Sequence, residues 1–194
     1  MGKSEKPRQF AIVDQMLSMH AMLRDKFKKR YLYLNLSLLI LSVFLCAFVF
    51  VDQSLFLSFG LEAKAINLSI RVTSVLCFAF SLVEYRVDWQ GKAAMHKDAV
   101  KKLSSLKADY RDVYSTENGE KQKESDHLSK EYQNIMDDIV EIPEGCFLEL
   151  KAKHLRKILL SKKISESPGA PIILLKMQLL FDGIFDSFIR KSKK

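Results

Sequence analysis

Charge is missing from a stretch where a soluble protein would carry it. Residues 31–51, YLYLNLSLLILSVFLCAFVFV, contain no Asp, Glu, Lys or Arg. A helix of that length covers roughly 30 Å, the thickness of a bilayer's hydrocarbon core, whereas an uncharged core helix of a soluble protein rarely exceeds about 14 residues. The run is also too long for the core of a signal peptide, which takes about 7–15 residues. About thirty residues precede it, so it is expected to stay in the mature chain as an anchor.

Site-building residues are equally scarce. Of three cysteines, Cys46 and Cys77 sit in apolar stretches and Cys146 stands alone, which predicts small apolar fillers and neither a metal cage nor a secreted disulfide framework. The four histidines, His20, His96, His127 and His154, form no HExxH pair, and His154 follows Cys146 at no known ligand spacing. His20 lies on the apolar face of a helix, where a partnered structural histidine is the plain reading. No nucleophile elbow and no phosphate-binding glycine loop appears. The chain is therefore expected not to be an enzyme and to need no metal or cofactor. Nor does it hold a basic stripe interleaved with aromatics, so nucleic acid is not an expected partner.

What the chain has is basic charge in two places. Net charge is +8. Arg24, Lys26, Lys28, Lys29 and Arg30 crowd before the first apolar run, and Arg86, Lys92, Lys97, Lys101 and Lys102 follow the second. Juxtamembrane bases are drawn to anionic lipid by about 1 kcal/mol each. Arg24, Lys26, Lys28, Lys29 and Arg30 are thus candidate headgroup contacts, and Trp89 a candidate interfacial anchor.

The second apolar run, residues 65–85, is interrupted by Arg71. Starting the span after Arg71 leaves 12 apolar residues at 72–83, roughly 18 Å, which is too short to cross. Arg71 is then inside the membrane, off centre, and able to snorkel toward the nearer interface. Only Lys64 lies between the spans, against five bases on either side, which predicts both termini in the cytoplasm and the 13-residue loop 52–64 outside.

The flanks carry helical spacing: Val13, Met16, Leu17, Met19, His20, Leu23 and Phe27 upstream, and Val100, Leu103, Leu106, Tyr110 and Val113 downstream. The predicted fold is all-α: a transmembrane helical hairpin extended by a cytoplasmic helical stalk. Its expected parts are an amphipathic helix at 1–30, the hairpin at 31–85 with spans 31–51 and 65–85, a stalk helix at 86–114, a polar linker at 115–126, and cytoplasmic helices at 127–194. Residues 147–160 read as a short helix, and SESPGAP at 165–171 as a break. The run 172–189 carries Lys176, Asp182 and Asp186, which argues against a third span; its acids favour protein contact over the membrane surface.

One polar pattern stands out within the spans. Asn67, Arg71, Ser74 and Ser81 share about a quarter of the second helix's circumference, and Asn35, Ser42 and Cys46 align on the first. Such a face avoids lipid by meeting water or another helix. A pore-lining reading has Arg71 near the outer mouth, favouring anions, with Glu84 and Arg86 at the cytoplasmic mouth. Close helix packing through small polar residues is the competing reading. A hairpin cannot enclose a channel, so a pore requires a homo-oligomer.

With RDKFKKRY at 24–31, the paired spans, EYRVDWQGKAAMHKDAVKKLSSLKADYRDV at 84–113 and EYQNI at 131–135, the chain resembles the SLATT family over residues 13–140. These are the two-transmembrane effectors of bacterial nucleotide-signalling operons. The resemblance implies a bacterial inner-membrane effector that perturbs or perforates the membrane in antiviral conflict. It also implies a trigger from a separate nucleotide-signal enzyme or sensor protein. Two rivals remain: a membrane-anchored adaptor whose cytoplasmic helices bind a partner, and a soluble bundle with long buried helices.

Overall fold

A computed structural model describes residues 5–50, 60, 62–115 and 121–181. The described elements are α1 (Glu5–Phe50), α2 (Ala63–Val87), α3 (Trp89–Ser115), α4 (Lys121–Asp138) and α5 (Glu144–Glu166), followed by α6 (Ile172–Phe181). No strand occurs among the described residues. Most of the loop expected at 52–64, and the second half of the run 172–189, lie outside them.

The N-terminal stalk helix and the first span are one helix. No glycine or proline occurs from Arg8 to Phe50, so nothing interrupts the ladder of backbone hydrogen bonds. The 46 residues of α1 extend about 70 Å. The helix thus runs from the N-terminal part into the apolar run without a break.

α2 and α3 are separated by a single residue. Asp88 takes a left-handed conformation, φ 45° and ψ 58°, which Asp tolerates better than most side chains. Its N–H donates to the Glu84 carbonyl (3.2 Å) and its carbonyl accepts from Lys92 (3.1 Å). Its Oδ1 accepts from the Gly91 N–H at 2.9 Å. One residue thus ends the second span and caps the stalk helix. A Cβ at position 91 would stand 2.1 Å from Asp88 Oδ2, so a larger residue there would make the carboxylate shift.

Only 6% of the apolar window in either long helix is buried. Core helices of a soluble bundle would be mostly covered, so this overturns the soluble rival. The apolar side chains stay open to the surroundings, among them Leu39 (60% exposed) and Val75 (66%). These helices form a membrane hairpin, and further helices extend it.

The chain divides into two compact units. Residues 20–140 make one. There Leu23, Ala99, Leu103, Leu106, Tyr110 and Leu128 form the stalk's interior, contributed by α1, α3 and α4. Fully burying a leucine stabilises by about 1.5–3 kcal/mol, so these few residues dominate the packing. α4 lies along α3, where Lys102 bridges Asp98 (2.7 Å) and Asp138 (2.5 Å). It begins at Lys121, inside the stretch read as polar linker, because KQKE is polar yet made of good helix formers.

The other unit joins residues 1–19 to 141–194, with Val13, Met19, Leu150, His154 and Leu175 buried. α5 starts after Pro143 and ends at Ser167, whose N–H donates to Lys163. It outruns the expected 147–160 at both ends. The break at 165–171 is present: Ala170 closes a turn onto Ser167, and Leu174 and Leu175 donate to the Pro171 carbonyl.

Candidate functional site

Within the first unit, position rises along α1 as it falls along α2 and α3. His20 meets His96 at 2.9 Å, and Trp89 lines a groove with Arg30, Tyr33, Leu34 and Ser37. The spans are therefore antiparallel. Trp89 stands at the level where the first span begins, as an interfacial anchor requires.

Each span has a less exposed seam. On α2 it runs through Ile66, Ile70, Thr73, Cys77, Phe80 and Glu84, and on α1 through Leu34, Leu38, Leu41 and Leu45. Asn67, Arg71, Ser74 and Ser81 are all exposed, centred about 100° round α2 from its seam. Asn35, Ser42 and Cys46, exposed too, stand off the seam of α1 by a similar angle in the same rotational sense. Because the helices run in opposite directions, equal offsets of one sense fall on one flank of the hairpin. With the two seams facing each other, helical geometry puts both polar faces on one flank of the antiparallel pair.

The serines on this flank are satisfied locally. Ser74 Oγ donates to the Ile70 carbonyl (2.8 Å) and Ser81 Oγ to the Cys77 carbonyl (2.9 Å). Ser42 does likewise to Leu39 (2.8 Å). Arg71 forms no hydrogen bond or ion pair among the described residues, and its guanidinium still demands water or an acceptor. The two residues expected at the cytoplasmic mouth do not share a face. Glu84 is half-buried on the seam, while Arg86 is exposed about 160° away.

In the basic collar, Arg24 pairs with Asp25 at 2.9 Å; Lys26, Lys28, Lys29 and Arg30 are exposed. Above it the stalk is tied by the two histidines. Their Nδ1 atoms share a hydrogen bond, so one ring donates and the other accepts. Phe27 stacks on His96 at 5.6 Å and 6°. Burial, and then the neighbouring His96, lowers the pKa of His20 to about 4; burial lowers that of His96. Both rings are neutral at pH 7, and a proton on either disfavours the pair. His20 was legible as partnered, but its partner was not. The usable signal was that His96, Ala99, Leu103, Leu106 and Tyr110 step by three and four residues, extending the stalk stripe back by about one turn.

Among the described residues no group of three or more His, Cys, Asp or Glu could hold a metal ion. Residues 21–141 match the SMODS and SLOG-associating 2TM effector domain family 5. The chain belongs to this family. The SLATT match covers the basic collar, both spans, Asp88, the stalk and α4, nearly the same residues as the first compact unit. α5 and α6 lie beyond it. By the family's name the chain is a two-transmembrane effector associated with SMODS and SLOG systems, and hence a membrane protein. No curated protein and no solved structure gives a match.

Proposed function

We propose that this chain is a bacterial inner-membrane effector, both termini cytoplasmic, that oligomerises through the polar flank of its hairpin and makes the membrane leak when an antiviral nucleotide signal arrives. One observation carries this reading: Arg71, Asn67, Ser74 and Ser81 are exposed on a flank the hairpin does not use. A charge facing lipid near mid-membrane costs roughly 2.5–3.5 kcal/mol. Sister hairpins, or water enclosed by them, remove that cost. Arg71 near the outer end of such a pore favours anions, and the serines, already bonded to their own helix, offer a smooth polar wall. The trigger is a separate enzyme or sensor protein acting on the cytoplasmic helices. The unbroken α1 conveys its effect to the first span, while the collar of Arg24, Lys26, Lys28, Lys29 and Arg30 holds the hairpin's depth on anionic headgroups.

Dye release from liposomes containing the triggered wild-type protein, set against Arg71→Leu, tests the reading. Release by wild type with a loss of tenfold or more in the variant is expected. Equal release by both variants, or none under any trigger, contradicts it. Retention of activity after both spans are exchanged for unrelated apolar hairpins would establish the adaptor instead.

A further inference from the structure

α6 is short and apolar, and most of it is uncovered: Ile173 is 73% exposed, Phe181 65% and Leu180 55%. α5 adds Leu155 (48%) and Leu159 (52%). Patches of this kind on a folded unit mark an interaction surface. Taken alone, the sequence of α6 offers a single base, Lys176. The structure changes this by laying α6 beside the basic face of α5. A groove of about 360 Å³ between them is lined by Leu159, Leu160, Leu179 and Leu180 together with Lys153, Arg156, Lys157 and Lys176. Lys153 is held by Glu149 at 2.5 Å. Arg156, Lys157 and Lys176 form no ion pair among the described residues.

We propose that α5 and α6 form a second, peripheral membrane contact, in which Arg156, Lys157 and Lys176 bind anionic lipid headgroups while Leu159 and Leu180 enter the leaflet boundary. Exposed leucines with cations beside them are the arrangement by which interfacial helices hold a bilayer surface. The charge also selects among occupants. A second copy would bring a like set of cations against these three. An anionic leaflet neutralises them. The inference rests on the reading of residues 31–51 and 65–85 as membrane spans, and it extends beyond the family-matched region.

The test uses the full chain with its three cysteines replaced, reconstituted in vesicles of phosphatidylcholine alone or mixed equally with phosphatidylglycerol. An environment-sensitive fluorophore is placed at Leu180→Cys, with a control at Val43→Cys in the first span, and spin-labelled lipid is the quencher. Position 43 should be quenched in both vesicles. Position 180 should be blue-shifted and quenched only with phosphatidylglycerol, and the effect should vanish in the triple variant Arg156→Glu, Lys157→Glu, Lys176→Glu. If position 43 is quenched and position 180 stays in water with anionic lipid, the inference is wrong. A position 180 that is dry but unquenched in both vesicles also overturns it, because protein is then the cover. Failure at position 43 would instead sink the span assignment.

Discussion

The stalk and the surface of α5 and α6 bury their apolar residues to very different degrees. In the stalk, Leu103 and Leu106 are wholly inaccessible, and α1, α3 and α4 close around them. In the unit containing α5 and α6, Leu150 and Leu175 are covered, yet Ile173, Leu155 and Leu159 remain open. The stalk is finished within one chain; the other unit presents a surface still to be covered. The family match follows the same division, ending at residue 141. The stalk lies within the matched region, and the open surface of α5 and α6 lies beyond it.

Substitutions can break that contrast. Leu103→Ala should cost about 2–5 kcal/mol of stalk stability through the cavity it leaves, measurable by denaturant unfolding in detergent. A cost below about 1 kcal/mol would mean the stalk is no better packed than the other unit. The next effect is of pH. His20 is neutral in the folded stalk down to about pH 4, whereas in the unfolded chain it takes a proton near pH 6.5. The unfolded state therefore binds more protons between those values. Stalk stability should be level above about pH 6.5 and fall as pH drops toward 4, by on the order of 1 kcal/mol per unit. His20→Gln should flatten that slope.

A smaller effect belongs to the joint between span and stalk. Gly91→Ala should push the Asp88 carboxylate off the Gly91 N–H and cost about 0.5–2 kcal/mol, read as faster amide exchange in the first turn of α3. Unchanged exchange would show that the cap is dispensable. The least effect is expected from Leu180→Ala in detergent, within about 0.5 kcal/mol as for exposed positions generally. If it matched Leu103→Ala, the contrast between the units would be lost.

The sequence made some of this legible and hid the rest for physical reasons. An uncharged run of 21 residues at 31–51 marks a span through length alone, and the stripe Leu103, Leu106, Tyr110 marks the stalk through its spacing. The joint was hidden because Asp88 acts through a left-handed backbone and through a carboxylate held on the Gly91 N–H, and neither leaves a periodic trace. The flank was half legible. Spacing aligned Asn67 with Ser81 along one helix, but placing Asn35, Ser42 and Cys46 beside them needed the seam and the antiparallel direction. Glu84 and Arg86, neighbours in sequence, part because successive residues of a helix point in different directions. The groove of α5 and α6 was hidden because its cations come from segments about twenty residues apart.

The proposed function depends on the polar flank of the hairpin meeting a second copy. Single cysteines at Ser74, Ser81, Val72 and Val83, each in a chain without native cysteines, can be cross-linked in native membranes. Dimers linked at 74 and 81 but not at 72 or 83 are the predicted result. Linkage at 72 and 83 with none at 74 or 81 would turn the polar flank toward lipid and contradict the account.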